Sequence, residues 1–337
     1  MKLTKARIVV TGVSGVTGRD VLNILAEQGV PSTQVTALES GRQGDNDVSY
    51  GEDAVLSIKS LDTHSFSAGD IVIHTGEGRE AAALAKKVAA VGGLMIDGSG
   101  TFTFDPDVPL IVPEVNGALL GEALKKNVVA SPNSIAILAS LALNPLHLKA
   151  KLTRAVISTY QAVSHWGREA QDELFNQTKA MFMTSSMKPE ALPKQIAFNC
   201  IPMQGFERED GLTESEWQAM AQLKKILDPK IKFAVNTVTV PAFVGDGMMV
   251  NVESQEEISP IKASMWMTGQ KGLGVIENGE ELPTHADIAS EDFTYVARMR
   301  DDISVENGLA FWVIGDNLRK GSALNLVQIA EAYAGTK

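Results

Sequence analysis

Cysteine is almost missing from this chain. Cys200 is the only one in 337 residues, which excludes an internal disulfide and any zinc site built from several thiolates. Histidine is sparse as well. The five present, His64, His74, His147, His165 and His285, are scattered without the spacing of metal ligands, so no metal centre is expected. Basic residues are in deficit: 30 Lys and Arg face 41 Asp and Glu, a net charge of −11. That balance argues against nucleic acid or an anionic membrane as the main partner. Long apolar runs are lacking too, because Pro, Asn or charge interrupts each one before it reaches bilayer length. No low-complexity segment or internal repeat occurs. The basic start up to Arg7 is followed by Ile8-Val9-Val10, too short for the apolar region of a secretory signal. A soluble cytoplasmic protein is expected.

What remains is ordinary globular material, 44% hydrophobic and 21% charged, long enough for two domains. Arg7 to Thr11 reads as a buried strand. Gly12-Val13-Ser14-Gly15-Val16-Thr17-Gly18 follows, then Val21, Leu22, Ile24 and Leu25 at helical spacing. A strand, a glycine turn and a helix in that order begin a dinucleotide-binding fold, with the pyrophosphate at the helix N-terminus. Val35 to Leu38 is the second strand, and Glu39-Ser40-Gly41-Arg42 closes it. The close is mixed. An acidic residue there holds the ribose hydroxyls of NAD, whereas arginine accommodates the 2′-phosphate of NADP. A solvated loop is the bland alternative, with Asp45-Asn46-Asp47 beside it. Strands over 70–73 and 93–97, the loop Thr75-Gly76-Glu77-Gly78 and a helix over 80–91 continue the alternation. A Rossmann-type, doubly wound, mostly parallel sheet is expected. A helix over 119–124 and a last strand over 128–130 lead to Ser131-Pro132-Asn133-Ser134.

Pro132 favours an extended entry, Asn133 is a good helix cap, and the apolar run from Ile135 to Leu143 reads as a buried helix stopping at Pro145. Ser134 then sits in a first helical turn, where anions are stabilised. The loop is expected at the C-terminal strand ends, where such sheets bind ligands. Beyond Leu152, strands over 154–160, 235–240 and 248–252 and helices over 216–227 and 256–267 suggest a second α+β domain with a mixed sheet. An apolar helix over 323–332 ends the chain.

At Ser158-Thr159-Tyr160-Gln161-Ala162-Val163-Ser164 the chain resembles bacterial aspartate-semialdehyde dehydrogenase. The likeness extends over nearly its whole length. It takes in Gly12 to Gly18, Asp105-Pro106-Asp107-Val108-Pro109-Leu110, Val112-Pro113-Glu114-Val115-Asn116, Ile196-Ala197-Phe198-Asn199, Ser304-Val305-Glu306-Asn307-Gly308 and the stretch from Asp316 to Asn325. The resemblance implies an NADP domain over 1–130, completed by a C-terminal helix over 318–337, and a dimerisation and substrate domain over 131–317. It also implies a homodimer that interconverts aspartyl phosphate and aspartate semialdehyde in amino-acid biosynthesis. In that reaction a cysteine attacks, a histidine is acid and base, and cationic side chains hold the substrate.

Carried over residue by residue, the catalytic set changes. The nucleophilic cysteine falls at Ser134 and the histidine at Asp246, in Pro241-Ala242-Phe243-Val244-Gly245-Asp246. The substrate-binding arginine falls at Thr239, and the phosphate-binding arginine after Phe102 at Thr103. A glutamate and a lysine fall at Ser215 and Gln218. Asn133 and Gln161 are kept. On the cofactor side the resemblance keeps Gly12, Ser14, Gly15, Val16, Thr17, Gly18, Ser40, Arg42, Thr75, Gly76, Ser164 and Asn317, and puts His165 where the family has a glycine near the nicotinamide. NADP is the expected cofactor, with NAD the alternative raised by Glu39.

Ser134 would form an oxygen ester, a poor hydride acceptor, and a carboxylate is a weak base for its hydroxyl. Serine and aspartate without histidine lack the middle of a triad. His165 is expected as a pocket-filling side chain beside Trp166, Cys200 as a buried structural residue, and 207–210 as a solvated acidic loop. The leading expectation is a paralogue without the family activity that binds cofactor or serves as a regulatory or structural partner. An NAD(P)-dependent oxidoreductase for a less anionic substrate comes second, and a serine hydrolase using Ser134 last.

Overall fold

In the computed structural model the chain forms two compact units, residues 1–133 with 322–337, and residues 134–321. The structure describes residues 3–41, 46–122, 124–183 and 187–336. Among them no helix is long and apolar enough to cross a membrane.

The first unit is a seven-stranded sheet. Its strands are β1 (Ile8–Thr11), β2 (Val35–Glu39), β3 (Asn46–Tyr50), β4 (Ala54–Ser60), β5 (Ile71–His74), β6 (Leu94–Asp97) and β7 (Val128–Ala130), in the order β3-β4-β2-β1-β5-β6-β7. All neighbours are parallel except β3 and β4. Every residue of β1, β5, β6 and β7 is buried, because a parallel sheet is covered on both faces and its strands are apolar throughout. Helices α1 (Val16–Glu27) and α2 (Gly78–Ala90) are the crossovers, and the C-terminal helix Leu324–Thr336 packs on α1, β5 and β6. Asn325 ties that helix in, donating from Nδ2 to the Ile111 carbonyl at 3.1 Å and to Ser131 Oγ at 2.9 Å.

Two elements differ from the sequence expectation. The β3–β4 hairpin has no counterpart in the sequence reading, which used Asn46 and Asp47 only as support for a loop alternative at 39–42. Its anchor is Tyr50, whose hydroxyl donates to the Val30 carbonyl at 2.6 Å; burial pushes its pKa up to about 12. The helix expected over 119–124 is instead α3 (Pro113–Asn116), running into a 3-10 turn at Gly117–Gly121. Pro113 begins it, and Asn116 turns its side chain back to Val112 N and the Leu110 carbonyl.

The second unit is a mixed six-stranded sheet with helices. In chain order it contains α4 (Ser134–Ala150), β8 (Leu152–Gln161), α5 (Arg168–Phe182), α6 (Glu214–Ile226), β9 (Lys232–Asn236), β10 (Asp246–Ser254), α7 (Pro260–Met267), β11 (Leu273–Val275), β12 (Thr294–Asp301) and β13 (Gly308–Gly315). The strand order is β11-β12-β13-β10-β8-β9. Helix α4 packs on β8, β10, β12 and β13, with α6 and α7 against it too, so it is apolar all round.

It does not stop at Pro145 but runs five residues further, to Ala150. Proline removes one helical hydrogen bond, and burial of the helix on both sides, Leu146 included, outweighs that loss. The strand expected over 235–240 ends at Asn236, because Thr237 N donates to Glu216 Oε1 instead of a ladder. Helix α6 starts at Glu214, earlier than expected, because Thr213 and Glu216 form a capping box. Helix α7 starts only at Pro260, with Ser259 as its cap.

Candidate functional site

Ser134 is the first residue of α4 and Asp246 the first of β10, the central strand flanked by β8 and β13. Asp246 pairs in register with Gln161 on one side and Gly315 on the other. Its carboxylate is fully buried and bound twice. Ser134 Oγ donates to Oδ2 at 2.6 Å, and His165 Nε2 lies 2.5 Å from Oδ1. In the Nε2–H tautomer the imidazole donates to that oxygen. Gln161 Nε2 approaches the same nitrogen at 3.2 Å, but an amide N–H cannot donate to a nitrogen already holding hydrogen.

His165 is therefore not a filler beside Trp166. A 3-10 turn at Val163–Trp166, leaving the end of β8, swings it over Asp246. The order is serine, aspartate, histidine. In a triad the imidazole stands between hydroxyl and carboxylate and takes the hydroxyl proton; here the carboxylate stands between, so the imidazole cannot reach it.

The neighbouring positions carry hydroxyls and amides committed to local bonds. Thr239 Oγ1 donates to the Met203 carbonyl at 2.7 Å and accepts Trp166 Nε1–H at 3.1 Å. Gln218 Nε2 donates to Glu214 Oε1 at 2.9 Å, one turn back on α6, and Ser215 lies half-buried in the first turn of that helix. Ser164 Oγ donates to Asn317 Oδ1 at 3.1 Å, which also accepts Gly245 N–H at 2.7 Å. These two side chains thus hold the backbone one residue before Asp246. Asn133 immediately precedes α4, and Thr103 is buried in the first unit.

Cys200 is exposed, not buried. Phe198 beside it has φ of 57° and turns the chain outward. The acidic loop is solvated as expected, with Glu207, Glu209 and Asp210 exposed, while Arg208 pairs with Glu214 at 2.8 Å and lies over the Trp217 ring. Among the described residues no group of three or more His, Cys, Asp and Glu is placed to hold a metal ion.

In the first unit the glycine turn is built for close approach. Gly12 has φ of 80°, and a Cβ there would lie 2.5 Å from Gly76 N. At Gly18 a Cβ would lie 2.3 Å from the Gly12 carbonyl oxygen. No side chain fits at either position, and Thr75 Oγ1 locks the facing loop by donating to the Thr11 carbonyl at 2.8 Å. Ser14, Gly15, Val16 and Thr17 form the turn and the start of α1. The N-cap, Gly15, offers no side chain to the first-turn N–H groups, which leaves them for a pyrophosphate. The residues fit a dinucleotide.

Two features here escaped the sequence reading. Glu39 Oε2 accepts the Ser14 N–H at 2.8 Å. His74, buried beneath Gly76, bridges Thr11 Oγ1 at 2.7 Å and the Glu77 carbonyl at 3.3 Å; burial holds its pKa below the usual histidine range. Ser40 is half-buried next to Glu39, while the expected role of Arg42 lies outside the described residues.

Family models match both units: the semialdehyde dehydrogenase NAD binding domain over residues 7–123, and the semialdehyde dehydrogenase dimerisation domain over residues 143–320. An aspartate-semialdehyde dehydrogenase of Rickettsia conorii is 40% identical over 97% of each chain. The chain belongs to the aspartate-semialdehyde dehydrogenase family. The crystal structure of aspartate semialdehyde dehydrogenase II from Vibrio cholerae matches with a TM-score of 0.92 at 30% identity, covering 96% of this chain and 97% of that one. A Candida albicans enzyme, solved with NADP, shares the fold at 15% identity with a TM-score of 0.75, covering 98% and 99%. The resemblance read from the motifs thus names the right family, and the fold it implies, a Rossmann-type domain beside a mixed-sheet domain, is the fold observed. Within that family fold, Ser134 and Asp246 stand where the resemblance puts the nucleophile and the acid/base, and His165, which contacts Asp246, stands where it puts a glycine.

Proposed function

We propose that this chain keeps the NAD(P)-binding and dimerisation domains of its family without running the phosphorylating semialdehyde reaction, and acts as a dinucleotide-binding regulatory or structural paralogue. The observation that carries this reading is the Ser134 hydroxyl donating at 2.6 Å to a buried carboxylate. The family reaction, as the resemblance implies it, needs a thiolate that attacks a carbonyl and later leaves. A serine bound to a carboxylate whose other oxygen faces His165 supplies neither a ready nucleophile nor a good leaving group. Substrate binding is weakened too. Thr103, Gln218 and Thr239 are neutral where the family has cations, and each missing charge-assisted contact costs about 1.5–3 kcal/mol.

Two measurements test the reading together. NADP reduction with aspartate semialdehyde and phosphate should stay at background, and NADH or NADPH should raise the melting temperature by linkage. Robust turnover sinks the loss of activity; the absence of any shift sinks the cofactor reading.

The intact glycine turn favours a second reading, an NAD(P)-dependent oxidoreductase for a different, less anionic substrate. The same dinucleotide shift with turnover on neutral aldehydes would support it.

We also propose a homodimer formed through the second unit. The match to a dimerisation domain supports this, as does a sheet face bearing Tyr160, Met249 and Trp312 around a cavity of about 470 Å³. Light scattering should give twice the 36.0 kDa of one chain; a monomer at micromolar concentration would reject it.

A further inference from the structure

We propose that the second unit carries a binding site for a small aromatic carboxylate, with Arg298 holding the carboxylate and Trp312 and Tyr160 walling the ring. The site does not depend on the dinucleotide reading. A cavity of about 470 Å³ opens between the sheet face at β8, β10 and β13 and residues 282–285. That size falls within the range of about 300–1,000 Å³ of small-molecule sites. Two hydrogen bonds fix its wall. His285 Nε2 donates to the Tyr160 carbonyl at 2.9 Å, and Trp312 Nε1 to the Pro283 carbonyl at 3.2 Å. Gly247 makes room for both rings: a Cβ there would lie 2.3 Å from Trp312 Cη2 and 3.1 Å from His285 Cε1. The Tyr160 and Trp312 rings are 5.9 Å apart and tilted by 49°, so neither closes its face on the other.

Arg298 is the unusual lining residue. β12 carries one extra residue against β13: Ala297 pairs with Trp312, and the next pair is Arg300 with Ala310. Within this bulge Arg298 has φ of 54°, a conformation whose ordinary occupant is glycine. Bulges re-aim side chains, and the one re-aimed here is an exposed guanidinium that lines the cavity. No Asp or Glu lines it, so the Arg298 charge is unopposed there. Val240, Met249 and Leu282 make the rest of the wall apolar. A neutral apolar ligand would leave the guanidinium unused, and a phosphate-rich one would face an apolar wall. A ring bearing a single carboxylate matches both, with the ring against Trp312 and Met249 and the carboxylate in the guanidinium fork.

The homodimer proposed above uses the same face, which makes the second copy the competing occupant. Residues 282–285 wall the cavity within a single chain, so it needs no second copy to form. Calorimetry on the full chain, at a concentration where light scattering has fixed the oligomeric state, compares indole-3-acetate with the neutral indole-3-acetamide. The acid should bind about tenfold or more tighter. Arg298→Gln should bring the two dissociation constants to within about threefold, whereas Arg298→Lys, which keeps the charge, should retain part of the preference. Thermal melts establish that both variants fold. Acid and amide binding equally to the unmodified chain overturns the proposal, as does a preference unmoved by Arg298→Gln. No binding to a dimeric chain assigns the cavity to the second copy, which overturns the proposal and leaves the homodimer standing. Arg298-dependent binding of the acid to a monomeric chain upholds the site and overturns only the homodimer; no binding to a monomer overturns both.

Discussion

Asp246→Ala should destabilise the second unit by about 2–5 kcal/mol, more than any other single change among the residues of the candidate site. Asp246 is fully buried and serves two donors. Truncation removes two charge-assisted hydrogen bonds and leaves the Ser134 hydroxyl and the His165 N–H facing a void. His165 keeps 16% of its side chain exposed, so water can recover part of its loss; Ser134, at 7%, has less access. For a unit of 150–250 residues the cost corresponds to a fall in melting temperature of roughly 5–15 °C.

Asp246→Asn should cost less than half as much. Its oxygen still accepts from Ser134, and its amide N–H can donate to His165 once the imidazole switches tautomer. Ser134→Ala should cost about 1–2 kcal/mol, since Asp246 then keeps His165. Thermal melts of the three variants rank the effects. Equal losses for Asp246→Ala and Asp246→Asn would mean that shape, not hydrogen bonding, holds this cluster together.

The architecture was readable because parallel strands covered on both faces are short continuous apolar runs. Ile8 to Val10 and Ile71 to Ile73 could be placed on that ground alone. The glycine turn was readable because Gly12 and Gly18 meet backbone at distances no Cβ tolerates. The β3–β4 hairpin was not. β4 alternates half-buried with exposed residues and β3 begins with Asn46 and Asp47, so neither has a strong apolar period.

The serine–aspartate–histidine cluster was only half readable. Likeness to the family points to positions 134 and 246, but Asp246 is 112 residues from Ser134 and 81 from His165. What brings His165 in is the pairing of Gln161 with Asp246 across β8 and β10, a long-range register that no local pattern encodes. Cys200 misled for a simpler reason. Its neighbours Phe198 and Ile201 suggest a buried strand, whereas Phe198 takes a left-handed turn and leaves 67% of itself exposed.

Restoring the thiol alone should not restore a family nucleophile. In a Cys200→Ser background, Ser134→Cys should give a thiol whose alkylation rate has a pH midpoint well above the ordinary value of about 8.5. Two opposing fields act there. The N-terminus of α4 favours a thiolate by about 0.3–1 kcal/mol, and at most about 2 kcal/mol in a partly buried setting. The Asp246 carboxylate opposes it. At ~4 Å and an effective dielectric of ~20, two like charges repel by about 4 kcal/mol. His165 offsets only part of this, because it sits on the far oxygen, Oδ1, while Ser134 contacts Oδ2. The carboxylate therefore wins. Burial of position 134 also disfavours the thiolate and raises the midpoint, but it does so with either residue at 246, so the difference between Ser134→Cys and Ser134→Cys with Asp246→Asn isolates the charge. Adding Asp246→Asn should lower it by more than a unit and speed the reaction at neutral pH. A midpoint at or below the ordinary value in Ser134→Cys alone would show that the helix terminus dominates. Serine would then be the only chemical obstacle at the nucleophile position, and the case for a lost activity would rest on Thr103, Gln218 and Thr239 instead.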